Sequence, residues 1–143
     1  MNELIFINSE QSIASTDIDE IELNYQIFLA EDYKKLILRF NGGRPNKTLY
    51  EGEGEALIFG ELFPVKYGNF RLEDALDKFC SSKILPQSLI PIGADPADNL
   101  ICLSQEKLNF GKVYIWMHDS GKSLRYIASS LHEVLSGLTE FEW

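Results

Sequence analysis

Apolar residues recur at helical spacing between residues 29 and 43, and this is the clearest pattern in the chain. The stripe at positions i, i+3, i+4 and i+7 is formed by Tyr33, Leu36, Ile37 and Phe40. Glu31 and Asp32 would lie in the first turn, where the helix dipole favours negative charge. Residues 41–43, Asn-Gly-Gly, follow the stripe and tolerate the left-handed conformations that commonly end helices. The pattern predicts a well-bounded amphipathic helix.

Three further segments have helical periodicity. Residues 17–25 carry apolar side chains at helical spacing and predict a helix near the N-terminus. Its candidate N-cap residues are Ser15, Thr16 and Asp17. Residues 72–79 predict a short helix that opens with two acidic residues. Residues 131–138 predict a final helix, because Ser130 and Glu133 have the spacing of a capping box at its start.

Strand patterns dominate the second half of the chain. Residues 113–117 alternate with the period of two that is typical of a strand. Residues 100–103 are apolar throughout, which predicts a strand buried on both faces. The other short apolar segments are residues 4–7, 56–59, 62–65, 89–93 and 124–127. Residues 94–99 and 119–121 predict turns, and residues 44–55 predict an exposed loop.

The order of these segments predicts the fold class. Helices come first, strands follow in a block and a helix closes the chain, which is typical of an α+β fold with a largely antiparallel sheet. The helices from the N-terminal part and the C-terminal helix would pack on this sheet. The connections between strands are too short for repeated βαβ crossovers. A chain of 143 residues is long enough for one domain and too short for two ordinary ones, so we predict a single domain over residues 1–143.

Composition indicates a cytoplasmic protein. No apolar run approaches the roughly 20 residues that a membrane-spanning helix needs. The N-terminus also lacks the basic leader and the longer apolar region of a signal peptide. The two cysteines, Cys80 and Cys102, lie far apart in apolar surroundings and not at CxxC spacing. They predict two free buried thiols rather than a zinc site or a disulfide.

Acidic residues outnumber basic ones and are unevenly distributed. The formal net charge is −9, and no lysine or arginine precedes Lys34. A further acidic cluster occupies residues 51–55 and is followed by Glu61. Such a surface repels nucleic-acid backbones and anionic membranes, so we expect neither as a partner. Two interpretations remain: the charge serves solubility alone, or it forms an acidic face that docks a basic protein.

Two motif-like sequences fail on spacing. Residues 121–123, Gly-Lys-Ser, would need a preceding glycine where Trp116 stands to form a phosphate-binding loop. Residues 132–133, His-Glu, would need a second histidine where Ser136 stands to form a zinc-protease helix. Neither motif predicts chemistry.

One histidine has a carboxylate beside it. His118 and Asp119 form a candidate general base, but His132 lies on a separate predicted helix and no nucleophile–base set can be assembled. Oxygen ligands for a hard cation are offered by Asp95, Asp98, Asn99 and Asp119. Their spacing does not match a calcium loop, and we expect the first three to cap a turn. We therefore predict no catalytic residue, no metal and no cofactor.

An ordered set of short motifs carries a family resemblance. The motifs are LAEDYK at residues 29–34, NGG at 41–43, PIGAD at 91–95, NLICL at 99–103, GKVYIWMHD at 111–119 and ASSL at 128–131. Together they resemble the SUKH superfamily, which includes the Smi/Knr-type regulators of cell-wall assembly and glucan synthesis and is widespread in bacteria. The resemblance covers roughly residues 17–138, and it is the order of the motifs that makes it specific.

The resemblance implies an α+β domain without known catalytic residues. Bacterial members look like immunity proteins that neutralise toxins, often nucleases, by binding them, and fungal relatives regulate glucan synthesis. We therefore expect a non-catalytic protein-binding domain whose partner is a basic toxin domain. A regulatory scaffold is the alternative, and an enzyme using His118 and Asp119 is the third hypothesis. The candidate partner-binding residues are Glu51, Glu53, Glu55, Glu61, Asp95, Asp98 and Asp119.

Overall fold

The computed structural model describes residues 3–119 and 123–141 of the chain. The helices are α1 (Ser15–Tyr25), α2 (Glu31–Arg39), α3 (Leu72–Ala75) and α4 (Leu131–Gly137). A π-helical turn (Leu76–Ser81) continues α3, and a 3-10 turn spans Lys107–Asn109. The strands are β1 (Phe6–Ile7), β2 (Arg44–Pro45), β3 (Leu49–Tyr50), β4 (Leu57–Ile58), β5 (Glu61–Leu62), β6 (Leu89–Ala94), β7 (Leu100–Ser104), β8 (Val113–Met117) and β9 (Ser123–Ala128).

A five-stranded antiparallel sheet of order β5-β6-β7-β8-β9 forms the centre of the domain. Each strand neighbours the one that follows it in the chain. The central pair places Ile101 opposite Ile115, and the β6–β7 pair is interrupted by a register shift between Pro91 and Gly93. Two small antiparallel ladders, β1–β2 and β3–β4, lie outside this sheet. The predicted α+β fold with a largely antiparallel sheet is confirmed.

The sheet is covered on both faces, because β7 supplies apolar side chains to two cores. Ile101 and Leu103 belong to the main core, which α1, α2 and α4 complete. Leu100 and Cys102 point to the opposite face and belong to a second core with Ala75 of α3. Successive side chains of a strand alternate between faces. The predicted burial of this strand on both faces is therefore confirmed.

Helix α2 lies in the main core, as its apolar stripe predicts. Tyr33 and Ile37 are fully buried in it. The carboxylate of Asp32 accepts a hydrogen bond from the backbone N–H of His132 at 3.0 Å, at the first turn of α4. The acidic first turn of α2 therefore also ties this helix to the last helix of the chain, a role that the helical pattern did not predict.

The end of α2 differs slightly from the prediction. The helix ends at Arg39, and Phe40 is already extended. Gly42 and Gly43 follow with φ angles of +84° and +105°, which glycine adopts without strain. A Cβ on Gly43 would lie 2.3 Å from the carbonyl oxygen of Ile7. The glycine pair thus lets the chain pass close to β1 after the helix has ended.

Asn41 bridges three segments instead of capping the helix. Its side chain is buried and accepts a 2.7 Å hydrogen bond from the backbone N–H of Val65. Its amide nitrogen donates to the carbonyl oxygens of Val65 and Gln11, at 2.9 and 2.8 Å. One side chain thereby satisfies backbone groups of two loops that are distant in sequence.

Two other local predictions are corrected. Helix α1 begins at Ser15 with Ala14 as its N-cap residue, so Ser15, Thr16 and Asp17 all lie inside the helix. The Asp17 carboxylate still serves the helix start, because it accepts from the backbone N–H of Ala14 at 2.9 Å. The predicted loop 44–55 contains β2 and β3, whose Tyr50 is buried. Strands of two residues leave too short a pattern for periodicity to detect.

The start of helix α4 agrees in part with the capping box that the sequence predicts. The Ser130 hydroxyl accepts from the backbone N–H of Glu133 at 3.1 Å, which confirms the N-cap half of the predicted capping box. The Glu133 carboxylate accepts from the N–H of Ser129, at 3.2 Å, rather than from that of Ser130.

The predicted turn 119–121 and the sequence 121–123 lie largely outside the described residues. Of these positions the structure describes Asp119 and Ser123.

Both cysteines are free thiols, as predicted; Cys102 is buried, whereas Cys80 is only half-buried. Burial raises the pKa of the Cys80 thiol to about 11 and raises that of the fully buried Cys102 as well. Both groups are therefore neutral thiols near pH 7. Among the described residues, no helix combines the length and the apolar composition that crossing a bilayer requires.

Candidate functional site

The structure places the seven predicted partner-binding residues in two groups, one beside the edge strand β9 and the other at the edge strand β5 and the nearby ends of β6 and β8. Residues 51–55 form the loop of the β3–β4 hairpin, and this loop lies against β9. Glu61 lies on β5, the opposite edge strand. Four strand spacings of about 4.8 Å separate these edges, a distance of roughly 19 Å. The acidic residues therefore form two separate surfaces.

The acidic hairpin loop is attached to β9 by its own carboxylates. Glu53 accepts a 2.9 Å hydrogen bond from the hydroxyl of Tyr126. Glu55 pairs with the guanidinium of Arg125 at 3.4 Å, and its backbone N–H donates to the carbonyl oxygen of Tyr126 at 2.9 Å. Desolvation, together with the bond to Glu53, raises the pKa of Tyr126 to about 12. All three glutamates are exposed, but only Glu53 and Glu55 have partners among the described residues.

The second acidic surface lies at the start of β5 and in the turn between β6 and β7. Asp95 caps this turn, since its carboxylate accepts from the backbone N–H groups of Ala97 and Asn99, both at 2.9 Å. Turn capping was the role predicted for it. Asp98 has a φ of +66° and an exposed side chain. Among the described residues, neither Glu61 nor Asp98 has an ion pair or a side-chain hydrogen bond.

His118 connects the end of β8 to the same turn. Its Nδ1 lies 2.8 Å from the Asp119 carboxylate, and its Nε2 lies 2.9 Å from the carbonyl oxygen of Ala97. Its backbone N–H donates to the Asn99 side chain at 3.1 Å. Both ring nitrogens are thus engaged by oxygen atoms, and Asp119 joins the second acidic surface through the histidine. Within residues 3–119 and 123–141, no three side chains of metal-ligating type gather into a group that could hold an ion.

Two concavities meet at this surface and share Glu61 and Asp98. An open groove of about 730 Å³ runs along β5 and includes Asp95, Glu140 and one cation, Arg44. We call it the acidic groove. On its other side lies a cleft of about 480 Å³ whose walls are mainly aromatic and aliphatic. We call it the aromatic cleft; it is bounded by Phe63, Phe70, Phe79, Ile84, Trp116 and His118.

Sequence reasoning missed the aromatic cleft and Glu140. Phe70 precedes α3 in a segment without periodicity, and Glu140 follows the last helix, so neither belonged to a motif. The one available signal was Trp116, an aromatic residue at a strand end beside the polar His118. Trp116 itself belongs to the second core.

The fold and the position of the acidic residues define the class: a single α+β domain with a central antiparallel sheet and acidic surfaces at both sheet edges. A model of the SMI1/KNR4 family (SUKH-1) matches residues 12–137. The chain belongs to this family, which confirms the resemblance found in its motifs. A search of curated proteins found no match to the chain.

Proposed function

We propose that the protein is a non-catalytic binding domain, and specifically a bacterial immunity protein that neutralises a basic toxin by binding it directly. The observation that carries the proposal is the pair of exposed carboxylates of Glu61 and Asp98 at one sheet edge, without ion pairs among the described residues. A nuclease toxin is commonly basic where it holds phosphates. Opposite charge would speed and orient its encounter with this edge.

The proposal divides the seven candidate residues into two groups by what their carboxylates already do. Glu53, Glu55, Asp95 and Asp119 have partners within their own domain. Glu61, Asp98 and Glu51 have none among the described residues. A carboxylate without an internal partner gives a binding protein its full charge, so we assign partner contact first to Glu61 and Asp98 and give Glu51 a secondary place.

A non-catalytic role is part of the proposal. A general base needs a nitrogen with a free lone pair that faces substrate. In His118 one ring nitrogen contacts the Ala97 carbonyl and the other contacts Asp119. This arrangement favours a histidine that fixes the turn between β6 and β7. If the unaltered protein showed an enzymatic turnover and the double variant His118→Ala with Asp119→Asn lost it, an enzymatic role would replace this one.

The proposal is tested by capture and by protection. The tagged protein would be used to capture partners from the proteome of its host, and the captured polypeptide would be expressed with and without this protein. We expect a toxic basic protein whose growth inhibition is relieved by co-expression. Capture of a non-toxic cell-wall or signalling component would instead support the regulatory scaffold.

The electrostatic part of the proposal is tested by the salt dependence of binding. The affinity of the complex would be compared at about 50 and about 500 mM salt, where exposed charge interactions are screened to different extents. The double variant Glu61→Gln with Asp98→Asn should bind more weakly at low salt and lose most of the salt dependence. Asp19→Asn, at an exposed carboxylate of α1 that is outside the described lining of both concavities, is the matched control. Affinity that is insensitive to salt in all three proteins would contradict the electrostatic account.

A further inference from the structure

We propose that the aromatic cleft is an anchor pocket for one arginine side chain of the partner, flanked in the partner by apolar residues. This inference rests on the proposed protein-binding function and names the chemistry that one part of the surface would recognise. It follows from three observations: the shape of the cleft, the aromatic composition of its walls and the carboxylates at its rim.

The cleft is a built concavity between two elements. The π-helical turn contributes Lys78 and Phe79, and the sheet contributes Leu100 and Trp116. Its volume of about 480 Å³ falls in the range of roughly 300–1,000 Å³ that is usual for pockets holding small ligands. A single long side chain and part of its neighbours fit in such a space.

Two of the apolar side chains that line this cleft are open to solvent, while Phe63, Leu100 and Trp116 are buried beneath them. Phe70 retains 37% of its surface and Ile84 retains 43%. Phe70 is held in place by an edge-to-face contact with the buried Phe63, with ring centroids 5.1 Å apart. A ring that is fixed by the core loses little conformational freedom on binding, which favours an anchor site.

The charges at the rim select a cation. Glu61 and Asp98 provide two carboxylates without internal ion pairs among the described residues, and both belong to the lining of the cleft. Among the described residues of that lining, Lys78 is the one lysine or arginine, and its ammonium lies 5.3 Å from the Phe79 ring centroid. His118 is held by Asp119 and the Ala97 carbonyl. Among the described residues, the two carboxylates of Glu61 and Asp98 therefore outnumber the single ammonium of Lys78.

Arginine matches this combination better than other side chains. Its planar guanidinium stacks on aromatic rings and donates to carboxylates in a fork geometry. Its aliphatic stem packs along apolar surface while the charged head stays at the rim. Lysine would satisfy the charge but would stack less well, and a neutral side chain would leave both carboxylates unmatched.

The test uses a pair of peptides that differ only in charge. Acetyl-Leu-Arg-Leu-amide and its citrulline counterpart have nearly the same shape, and binding would be followed through backbone amide NMR signals. We expect the arginine peptide to shift the amides of Phe70, Phe79 and Glu61. The citrulline peptide should bind about tenfold more weakly, as expected for the loss of charge-assisted hydrogen bonds.

Substitutions at the rim of the cleft test whether the preference for arginine arises there. Asparagine tolerates the positive φ of Asp98, so Glu61→Gln with Asp98→Asn should keep the fold. It should weaken the arginine peptide about tenfold and leave the citrulline peptide unchanged. Asp19→Asn, on the exposed face of α1, is the control and should change neither affinity. Lys78→Met, which removes the competing cation, should strengthen binding of the arginine peptide.

Three results would overturn the inference: equal affinities for the two peptides, shifts confined to other surfaces, or no shifts at all. These failures differ from a failure of the proposed function. A captured toxin with no arginine binding in the cleft leaves the immunity proposal standing and rejects the pocket. Specific arginine binding with no toxin partner supports the cleft chemistry and rejects the immunity role.

Discussion

At the scale of single residues, polar side chains of the motif at 29–43 connect segments that are far apart in the chain. Asp32 accepts from the backbone of His132, one hundred positions later. Asn41 binds both backbone groups of Val65 and the carbonyl of Gln11. Buried polar groups of the backbone need partners. Asn41 provides them for Val65, which lies outside the helices and strands, and Asp32 pairs an N–H in the first turn of α4, where helices lack internal acceptors.

Replacing Asn41 tests this role directly. Asn41→Ala should lower the free energy of unfolding by about 2–4 kcal/mol, because it leaves the N–H and the carbonyl of Val65 without their buried partners. Chemical denaturation measures the change. Asn69→Ala, at an exposed asparagine, is the control and should change stability by less than about 0.5 kcal/mol. Equal effects of the two substitutions would show that Asn41 is not a structural bridge.

At the scale of elements, the acidic hairpin loop protects the free edge of β9. An exposed edge strand can pair with other chains. Here the backbone N–H of Glu55 occupies the Tyr126 carbonyl, and Glu53 binds the Tyr126 hydroxyl. Gly54 lets the loop approach closely. A Cβ at this position would lie 2.5 Å from the Tyr126 oxygen and 2.7 Å from that of Ile127.

Gly54→Ala should therefore lift the loop from β9. We expect the free energy of unfolding to fall by about 1–3 kcal/mol, as for other overpacking substitutions. Amide hydrogen exchange of Glu55 should accelerate, because its hydrogen bond to Tyr126 is broken. Glu51→Ala, in the same loop, should leave both quantities nearly unchanged. Unaltered exchange of Glu55 in Gly54→Ala would mean that the contact does not hold the loop.

At the scale of the whole molecule, several tyrosines are stabilised in the neutral form. Burial, followed by the bond to Asp77, raises the pKa of Tyr25 to about 12. The pKa of Tyr126 is raised to about the same value. Complete burial also raises the pKa of Tyr33. The Tyr33 hydroxyl has no hydrogen-bond partner among the described residues. Desolvation also raises the pKa of Tyr50, so folding favours the protonated phenol at four positions.

This predicts a loss of stability in alkali. Below about pH 10 the tyrosines keep their protons in both states, so their contribution is fully present. Above about pH 10 the unfolded chain ionises first, and the free energy of unfolding falls as pH rises through about 12. Denaturation at several pH values, combined with tyrosinate absorbance, measures this change.

Tyr33→Phe is the control for the alkaline prediction. It removes one group with a raised pKa and should therefore reduce the pH dependence. Near neutral pH it should cost little, since the buried hydroxyl loses no hydrogen bond to a described residue. Ionisation of all tyrosines near their ordinary pKa without unfolding would contradict the prediction.

The sequence by itself determined the helices, the longer strands and the fold class. The period of the apolar residues shows which side of an element is buried, and five to eleven residues are enough for it to appear in α1, α2 and β8. Strand β7 was predicted from a run that is apolar throughout. The two-residue strands β2 and β3 are too short for such a signal, so residues 44–55 were predicted as a loop.

Only the tertiary structure decided which acidic residues are available to a partner. In the sequence Glu53 and Glu61 belong to one acidic region, but strand pairing places them at opposite sheet edges and gives Glu53 a hydrogen bond to Tyr126. The same pairing brings Asp98 and Trp116 to one cleft with Phe70. The spacing of apolar residues within a segment indicates which of its side chains are buried. Contacts between distant segments depend instead on how the helices and strands pack together.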